Sequence, residues 1–586
     1  MPKKIFYILT FLFLLSPVSI AKEIDKFVHT SSGQVQGHIK NKVINYDDIP
    51  YAQPPIGNLR WKAPRELLNA NIIIKSQDNN FCIQEPSSMG GAPGEGFITG
   101  TEDCLYLDIK KPKKKSSKLL PVMFWIHGGG NTSGLKDLYD FSKMVNRHDV
   151  IVVTINYRLG AFGWFTHPAI QGIHKGIDKT SNFGTLDIIE ALKWVNSNIQ
   201  LFGGDPNNIT VFGESAGGHN VLSLMVAPQA DGLFHKAISQ SGYTTSVSAE
   251  HAHINNNDNP TFNHTSNEVV KRLVLNSDKM SYLELNKELY SLTAEEFFSD
   301  YSDKSNLEVP LLTNDGIVIP KVGLEKALKN SKNVPFMAGS NKDEVKLWLA
   351  AAEYFVELDY SLFGSILGIP KVKIKNEASF EAFNFYRSEA WKIRGVIEPI
   401  SSLNIAGNLN TYAYRYNWDD HRRFFIADFR KLIGASHGTE IPLITGNNDV
   451  VGGFGFLLYP SGPSKRFLSK NMMLFWSNFA KKGIPGESTN GIEWLPYNSF
   501  KETNFLTLDN KSNMKVTNSY VSYKELVQQL NDDARVDELE RCVILYQMGT
   551  FVGNDIFDRI KQFSNFDCVR EDARNFLEAN KNFIEY

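Results

Sequence analysis

The stretch VFGESAGGHN, Val211 to Asn220, sets one serine among glycines and other small residues. Any turn collects glycine and serine, so G-x-S-x-G alone does not separate a nucleophile from a bend. The flanking chain decides. NITVFG (Asn208 to Gly213) reads as a buried strand running directly into Ser215. AGGHNVLSLMV, from Ala216, puts Val221, Leu222 and Met225 on the inward side of a helix. A strand followed at once by a helix is the setting of a nucleophile elbow. There Gly213, Ala216 and Gly217 let the backbone turn tightly and push the hydroxyl outward.

Working outward, LLPVMFWI (Leu119 to Ile126) reads as a buried strand ending at HGGG, and VIVVTINY (Val150 to Tyr157) as another. Between that strand and the elbow, Ile188, Leu192, Val195 and Ile199 fall at helical spacing after Ser181 and Asn182. That pattern stops at FGGDP, where Gly203, Gly204 and Pro206 break it. Apolar strands alternating with helices predict an α/β fold with a large, mostly parallel sheet.

A serine hydroxyl needs a base within hydrogen-bond reach. When a nucleophile elbow opens the series, an acid and then a histidine follow along the chain. Of the thirteen histidines, His421 and His437 lie in the last third. His421, in WDDHRRFF, reads as a surface residue, whereas His437, in GASHGTEIP, has small neighbours that leave its ring free to approach a cleft. For the acid, VPFMAGSNKDEVKLWL supplies a strand (Val334 to Ala338), a turn, and then Asp343 and Glu344, which side-chain chemistry alone leaves tied. Gly128, Gly129 and Gly130, after His127, offer close-approaching amides for an oxyanion, completed by the amide of Ala216.

The chain has 586 residues, 42% of them hydrophobic, enough for a large core. Its 62 basic and 64 acidic residues leave a net charge of −2, which gives no electrostatic reason to expect nucleic acid or an anionic membrane as partner. The start, MPKKIFYILTFLFLLSPVSIAKE, has a positive end, a short apolar run and Ser19-Ile20-Ala21 as a cleavage site. Residues 1–21 are therefore expected to be a cleaved signal peptide, giving a secreted or periplasmic protein with no membrane span. The catalytic domain is expected over 22–513, with a charged, helical C-terminal segment, 514–586, packed on it. Four cysteines in an exported chain suggest disulfides, and proximity favours Cys82 with Cys104 and Cys542 with Cys568 among three possible pairings. His251 and His253, beside INNNDNP, read as a solvated loop, and the run KKPKKKSSK (Lys110 to Lys118) as a solvated turn. No metal or cofactor site is expected.

Taken together, these motifs resemble the type-B carboxylesterase and cholinesterase-like family of α/β-hydrolases. The resemblance runs from about Lys26 to Trp494–Tyr497 and rests on IPYAQPPIGNLRW, EDCLYLDI, WIHGGG, INYRLGAFGW, FGGDPNNITVFGESAGG, GSNKDE and HGTEIP. It implies Ser215 as nucleophile and His437 as base, and it breaks the carboxylate tie in favour of Glu344. It also implies an oxyanion hole from Gly129, Gly130 and Ala216, a Cys82–Cys104 disulfide, and a supporting place for Ser241 in SQSG. Glu214 is shared by most members.

Two departures stand out. Val345 replaces the glycine that usually follows the acid, and NTSG follows HGGG where many relatives carry an aromatic. The Cys82–Cys104 loop contains no tryptophan, which argues against a specialist for choline esters, whose ammonium such a ring binds. The expected activity is hydrolysis of small esters of broad range, with short to medium acyl groups, through an acyl-enzyme and without a cofactor. The alternatives are a lipase or polyester hydrolase, with Leu347 and Trp348 lining a long acyl pocket, and a non-catalytic binding module. A module of that kind typically lacks a member of the triad, and none is missing here. Asn131 and Asn263 lie in N-x-S/T sequons.

Overall fold

The computed structural model describes residues 22–69, 71–76, 80–87, 90–254, 265–301, 312–359, 371–424, 427–448, 450–451 and 455–580. The expected signal peptide and Asn263 lie outside the described residues. The strands of the main sheet are β1 (Lys22–Thr30), β2 (Gly33–Lys40), β3 (Val43–Pro50), β4 (Ile73–Ile74), β5 (Tyr106–Pro112), β6 (Leu120–Ile126), β7 (Ile151–Ile155), β8 (Gly204–Glu214), β9 (Lys236–Gln240), β10 (Phe336–Asn341), β11 (Thr411–Tyr416), β12 (Asn504–Leu508) and β13 (Lys515–Asn518). They form one sheet of thirteen strands in the order β1-β2-β3-β5-β7-β6-β8-β9-β10-β11-β12-β13, with β4 beside β2.

Strands β7, β6, β8, β9, β10, β11 and β12 run parallel, and the flanking pairs are antiparallel except β4, which runs parallel to β2. Parallel strands covered on both faces read as continuous apolar runs, which is why β6 and β7 were legible. β8 begins at Gly204, earlier than the apolar run suggests. Leu120 pairs with Gly204 and the register shifts before Val122 pairs with Ile209, an irregularity that accommodates Pro206.

Helix α1 (Phe183–Asn198) buries Ile188, Leu192 and Val195 as their spacing predicts. Helix α2 (Ala216–Val226) packs tightly on the sheet: a β-carbon at Gly217 would collide with the carbonyl oxygen of Ile126. Farther on lie α3 (Glu377–Lys392), α4 (Pro463–Lys482), α5 (Tyr523–Asn531), α6 (Glu538–Thr550), α7 (Phe557–Lys561) and α8 (Arg570–Ala579). Disulfides join Cys82 to Cys104 and Cys542 to Cys568, matching the pairing that proximity favours. The C-terminal helices are tied inward by buried Arg394, which donates to the Tyr523 hydroxyl and to the carbonyls of Gly549 and Asn554. Among the described residues no helix is long and apolar enough to cross a membrane.

Two expectations are corrected. His421 is buried: its ring nitrogens face the carbonyls of Leu458 and Gly434, and its ring packs edge-on against Trp418 and Tyr459. The charges beside it in sequence point away and leave the ring inside. His251 and His253 belong to a short helix, Ala249–His253, rather than a loop; His253 hydrogen-bonds Ser266 and packs edge-on against the His167 ring.

Asp48, Asp108 and Asp137 converge on one point, and the ammonium of Lys136 occupies it, at 2.7, 2.9 and 2.9 Å. Lys136, Asp48 and Asp108 are buried. Burial pushes Asp108 up to about 7 despite the pull of Lys136, and Asp137 adds to the push. Removing one partner of a buried ion pair strands the other, at about 3–5 kcal/mol. Lys136→Met is therefore expected to lower stability by about that much, read from the urea midpoint. An unchanged midpoint would contradict this account of the cluster.

Candidate active site

The carboxyl ends of the parallel strands gather the site, as in open α/β sheets generally. Ser215 sits between β8 and α2 at φ 59° and ψ −124°. This backbone is sparsely populated for a residue with a side chain and costs about 1–3 kcal/mol. Its amide donates to the Gln240 carbonyl, and its own carbonyl accepts from His219. Those bonds over-determine the turn.

The acid and the histidine come from loops after β10 and β11. Three backbone bonds lash these loops together: Lys342 to Tyr416, Asp343 to Ala435, and His437 to Glu344. Glu344 is fully buried. Its Oε2 lies 2.7 Å from His437 Nδ1, while Oε1 accepts from the Ser241 hydroxyl at 2.7 Å and the Asn341 amide at 2.6 Å. Asp343 faces elsewhere, accepting from Asn384 and the Ala435 amide, with Lys346 at 3.6 Å. The two tied carboxylates thus have separate surroundings, and only Glu344 touches the imidazole. Val345 adopts φ −90° and ψ −2°, so the turn makes no demand for glycine there.

His437 Nε2 lies 3.3 Å from Glu214 Oε1, although that oxygen makes no aligned hydrogen bond. Glu214 directly precedes Ser215, so Nε2 points into the elbow. Gly128 closes this corner: a β-carbon there would stand 2.9 Å from Glu214 Oε2 and 3.0 Å from Ser215 Cβ. Gly129 and Gly130 have φ of 94° and 63°, and a β-carbon on Gly129 would strike the Ser133 carbonyl. Among the described residues no hydrogen bond takes up the amides of Gly129, Gly130 or Ala216.

The loop beyond HGGG is braced from inside. Asn131 is buried at φ 60°, and its Oδ1 accepts from Asn220 at 2.8 Å and from the Tyr157 hydroxyl at 3.3 Å. Buried in this way, the Asn131 side-chain nitrogen is no acceptor for a glycan in the folded protein. Gln84, from the Cys82–Cys104 loop, accepts from the Gly134 amide and donates to its carbonyl.

Glu440 and Trp391 were missed in the sequence, and Trp348 was read there only as an acyl-pocket wall. Glu440 is buried, accepting from Asn341 Nδ2 at 2.7 Å and Gln240 Nε2 at 3.2 Å, and Trp476 donates to Gln240. It lies in HGTEIP, where a carboxylate among small residues was the available signal. Trp348 and Trp391 stack on each other and pack against the His437 ring at 5.1 and 4.7 Å. Trp391 also donates to the carbonyls of Ser241 and Gly242. Nothing local marks Trp391, because its partners are distant in sequence.

Three carboxylates therefore surround one imidazole. Burial raises Glu214 above the usual carboxylate range, and the charges of Glu440 and Glu344 add to this against the pull of His437. Burial alone would lower His437, but the facing Glu214, then Glu344 and Glu440, outweigh it and raise the ring above its ordinary value. An ionised neighbour favours imidazolium, so removing it lowers the pKa. Glu214→Gln is expected to move the acid limb of the kcat/KM profile to lower pH by about one unit. A limb that stays in place or moves up would contradict this.

The mostly parallel sheet, with its elbow at the end of β8 and acid and histidine loops beyond β10 and β11, defines the α/β-hydrolase fold. A model of the carboxylesterase family matches residues 24–361 and 373–525. Para-nitrobenzyl esterase of Bacillus subtilis is 30% identical over 490 residues, covering 80% of this chain and 92% of that protein. Liver carboxylesterase of Sus scrofa is 30% identical over 524 residues, covering 80% and 86%. A solved PNB esterase superposes with a TM-score of 0.65 at 27% identity, covering 84% of this chain and 97% of that one. The chain belongs to the carboxylesterase family and is a carboxylic-ester hydrolase.

Proposed function

We propose that this protein is an exported carboxylesterase of broad specificity, hydrolysing short to medium acyl esters through Ser215, His437 and Glu344. The observation that carries the reading is an imidazole anchored 2.7 Å from buried Glu344, with its Nε2 3.3 Å from Glu214, the residue directly before Ser215, which the elbow holds at φ 59°. The anchor leaves Nε2 as the proton acceptor. His437 takes the Ser215 proton as the oxygen attacks the ester carbonyl, and Glu344 stabilises the imidazolium and holds its orientation.

The developing oxyanion meets the amides of Gly129, Gly130 and Ala216, and losing one such donor typically costs about 10²–10³ in rate. The imidazolium then protonates the leaving alcohol. Water, deprotonated by His437, cleaves the acyl-enzyme and releases the acid. Ser241 and the Asn341 amide fix the far oxygen of Glu344, while Trp348 and Trp391 hold the imidazole face. Two disulfides and the apolar N-terminal run support export.

The test is a series of initial rates on p-nitrophenyl esters from acetate to palmitate. The expected profile peaks at short or medium chains. A peak at long chains would transfer the protein to the lipase or polyester-hydrolase reading, and absence of turnover on every ester would leave a binding module.

A further inference from the structure

Behind the turn that carries Glu344 lies a cleft of about 390 Å³, separate from the catalytic corner and lined from the Lys342–Asp343 turn, α3, β11 and the segment around α5. At its centre Glu389 takes Arg415 on one oxygen at 2.6 Å and Lys392 on the other at 2.5 Å. The side chains of Lys392 and Arg415 are only 5% and 9% exposed. Two buried cations thus share one carboxylate.

The other acids of the cleft are answered elsewhere. Asp343 has Lys346, Asn384 and the Ala435 amide, and Glu381 pairs with Lys346 at 2.8 Å. An uncompensated buried charge is expensive and draws a counter-ion or sheds its proton. Lys392 is accordingly pulled down to about 8, by burial first and then by Arg415. Beside this cationic end stands Phe385, 37% exposed, with Arg535 on its ring at 6.0 Å. The cleft has the size of a small-molecule site, and a bare inorganic anion would leave most of it empty.

We propose that this cleft binds an organic carboxylate, its charged end on Lys392 and Arg415 and its apolar body on Phe385. An Arg–Lys pair is the chemistry that recognises carboxylates. The acid released by the proposed ester hydrolysis belongs to this class, and to that extent the assignment rests on that reading. Lys392 adjoins Trp391, whose ring lies 4.7 Å from that of His437, and Asp343 adjoins Glu344.

The test is calorimetric titration of hexanoate and, separately, inorganic phosphate into full-length protein already treated with a serine-directed phosphonate. The treatment keeps the acid out of the catalytic corner, and failure to label would count against the esterase reading rather than against this one. The expected result is one saturable hexanoate site, with phosphate weaker by about tenfold or more. Lys392→Met is expected to weaken hexanoate by about tenfold or more, while Lys392→Arg keeps it. Should Lys392→Met misfold, Phe385→Ala at a half-exposed position is expected to weaken hexanoate but not acetate. No saturable heat, phosphate binding tighter than hexanoate, or hexanoate affinity indifferent to Lys392 and Phe385 would each overturn the proposal.

Discussion

Ser215→Ala is expected to lower kcat on p-nitrophenyl butyrate by about 10⁶-fold while leaving KM within a few-fold, since nucleophile and base act as a unit. The alanine keeps the elbow's backbone, and its amide still donates to the Gln240 carbonyl. Substrate contacts therefore survive and only the attacking oxygen is lost. On the proposed mechanism the residual rate is that of the oxyanion amides proposed at Gly129, Gly130 and Ala216 together with binding, and it is expected to stay above the rate in water alone. A variant with more than about one per cent of wild-type kcat, far above that 10⁶-fold loss, would mean that another group attacks the ester.

Glu344→Gln is expected to cost about 10⁴ in kcat, and the neighbouring Asp343→Asn far less. The hydrogen bonds around Glu344 give the reason. Ser241 and the Asn341 amide both donate to Oε1, so a glutamine must keep its oxygen on that side. Its amide group then faces His437 Nδ1 as a donor. That forces the proton onto Nε2, the tautomer that cannot accept from Ser215. Asp343, by contrast, meets Asn384, the Ala435 amide and Lys346 and never touches the imidazole. Its amide variant is expected to lose about 1–3 kcal/mol of stability and to keep kcat within about tenfold of wild type. Steady-state kinetics beside chemical denaturation separates the two effects. Equal losses of kcat would show that the acid has been misassigned.

The contrast between these adjacent carboxylates shows how far the sequence can be read. β6, β7 and β8 were legible because strands buried on both faces are written as apolar runs, and the elbow was legible because strand, serine and helix are contiguous. The choice between Asp343 and Glu344 depends on which side of a turn each side chain leaves, and neighbouring residues of like chemistry carry no record of that. The resemblance supplied the preference for Glu344, and of the two side chains only that of Glu344 meets the imidazole.

His421 was misread for a related reason. Four charged neighbours, Asp419, Asp420, Arg422 and Arg423, suggest a surface, yet Trp418 and Tyr459 cover the ring. Gln240 and Trp391 are invisible to local pattern because each acts through residues far along the chain, and Glu440, a carboxylate among small residues, meets Asn341 and Gln240 only in the folded chain. The cleft behind Glu344 is of the same kind, since Lys392 and Arg415 meet only when α3 folds over β11.

The central claim is that Ser215 attacks the ester. The most direct measurement is to treat the protein with a fluorophosphonate, digest it and locate the adduct by peptide mass spectrometry. The account predicts one adduct per chain, on the peptide carrying Ser215, appearing in step with loss of esterase activity and absent from Ser215→Ala. An adduct on another residue, or full loss of activity with Ser215 unmodified, would contradict it.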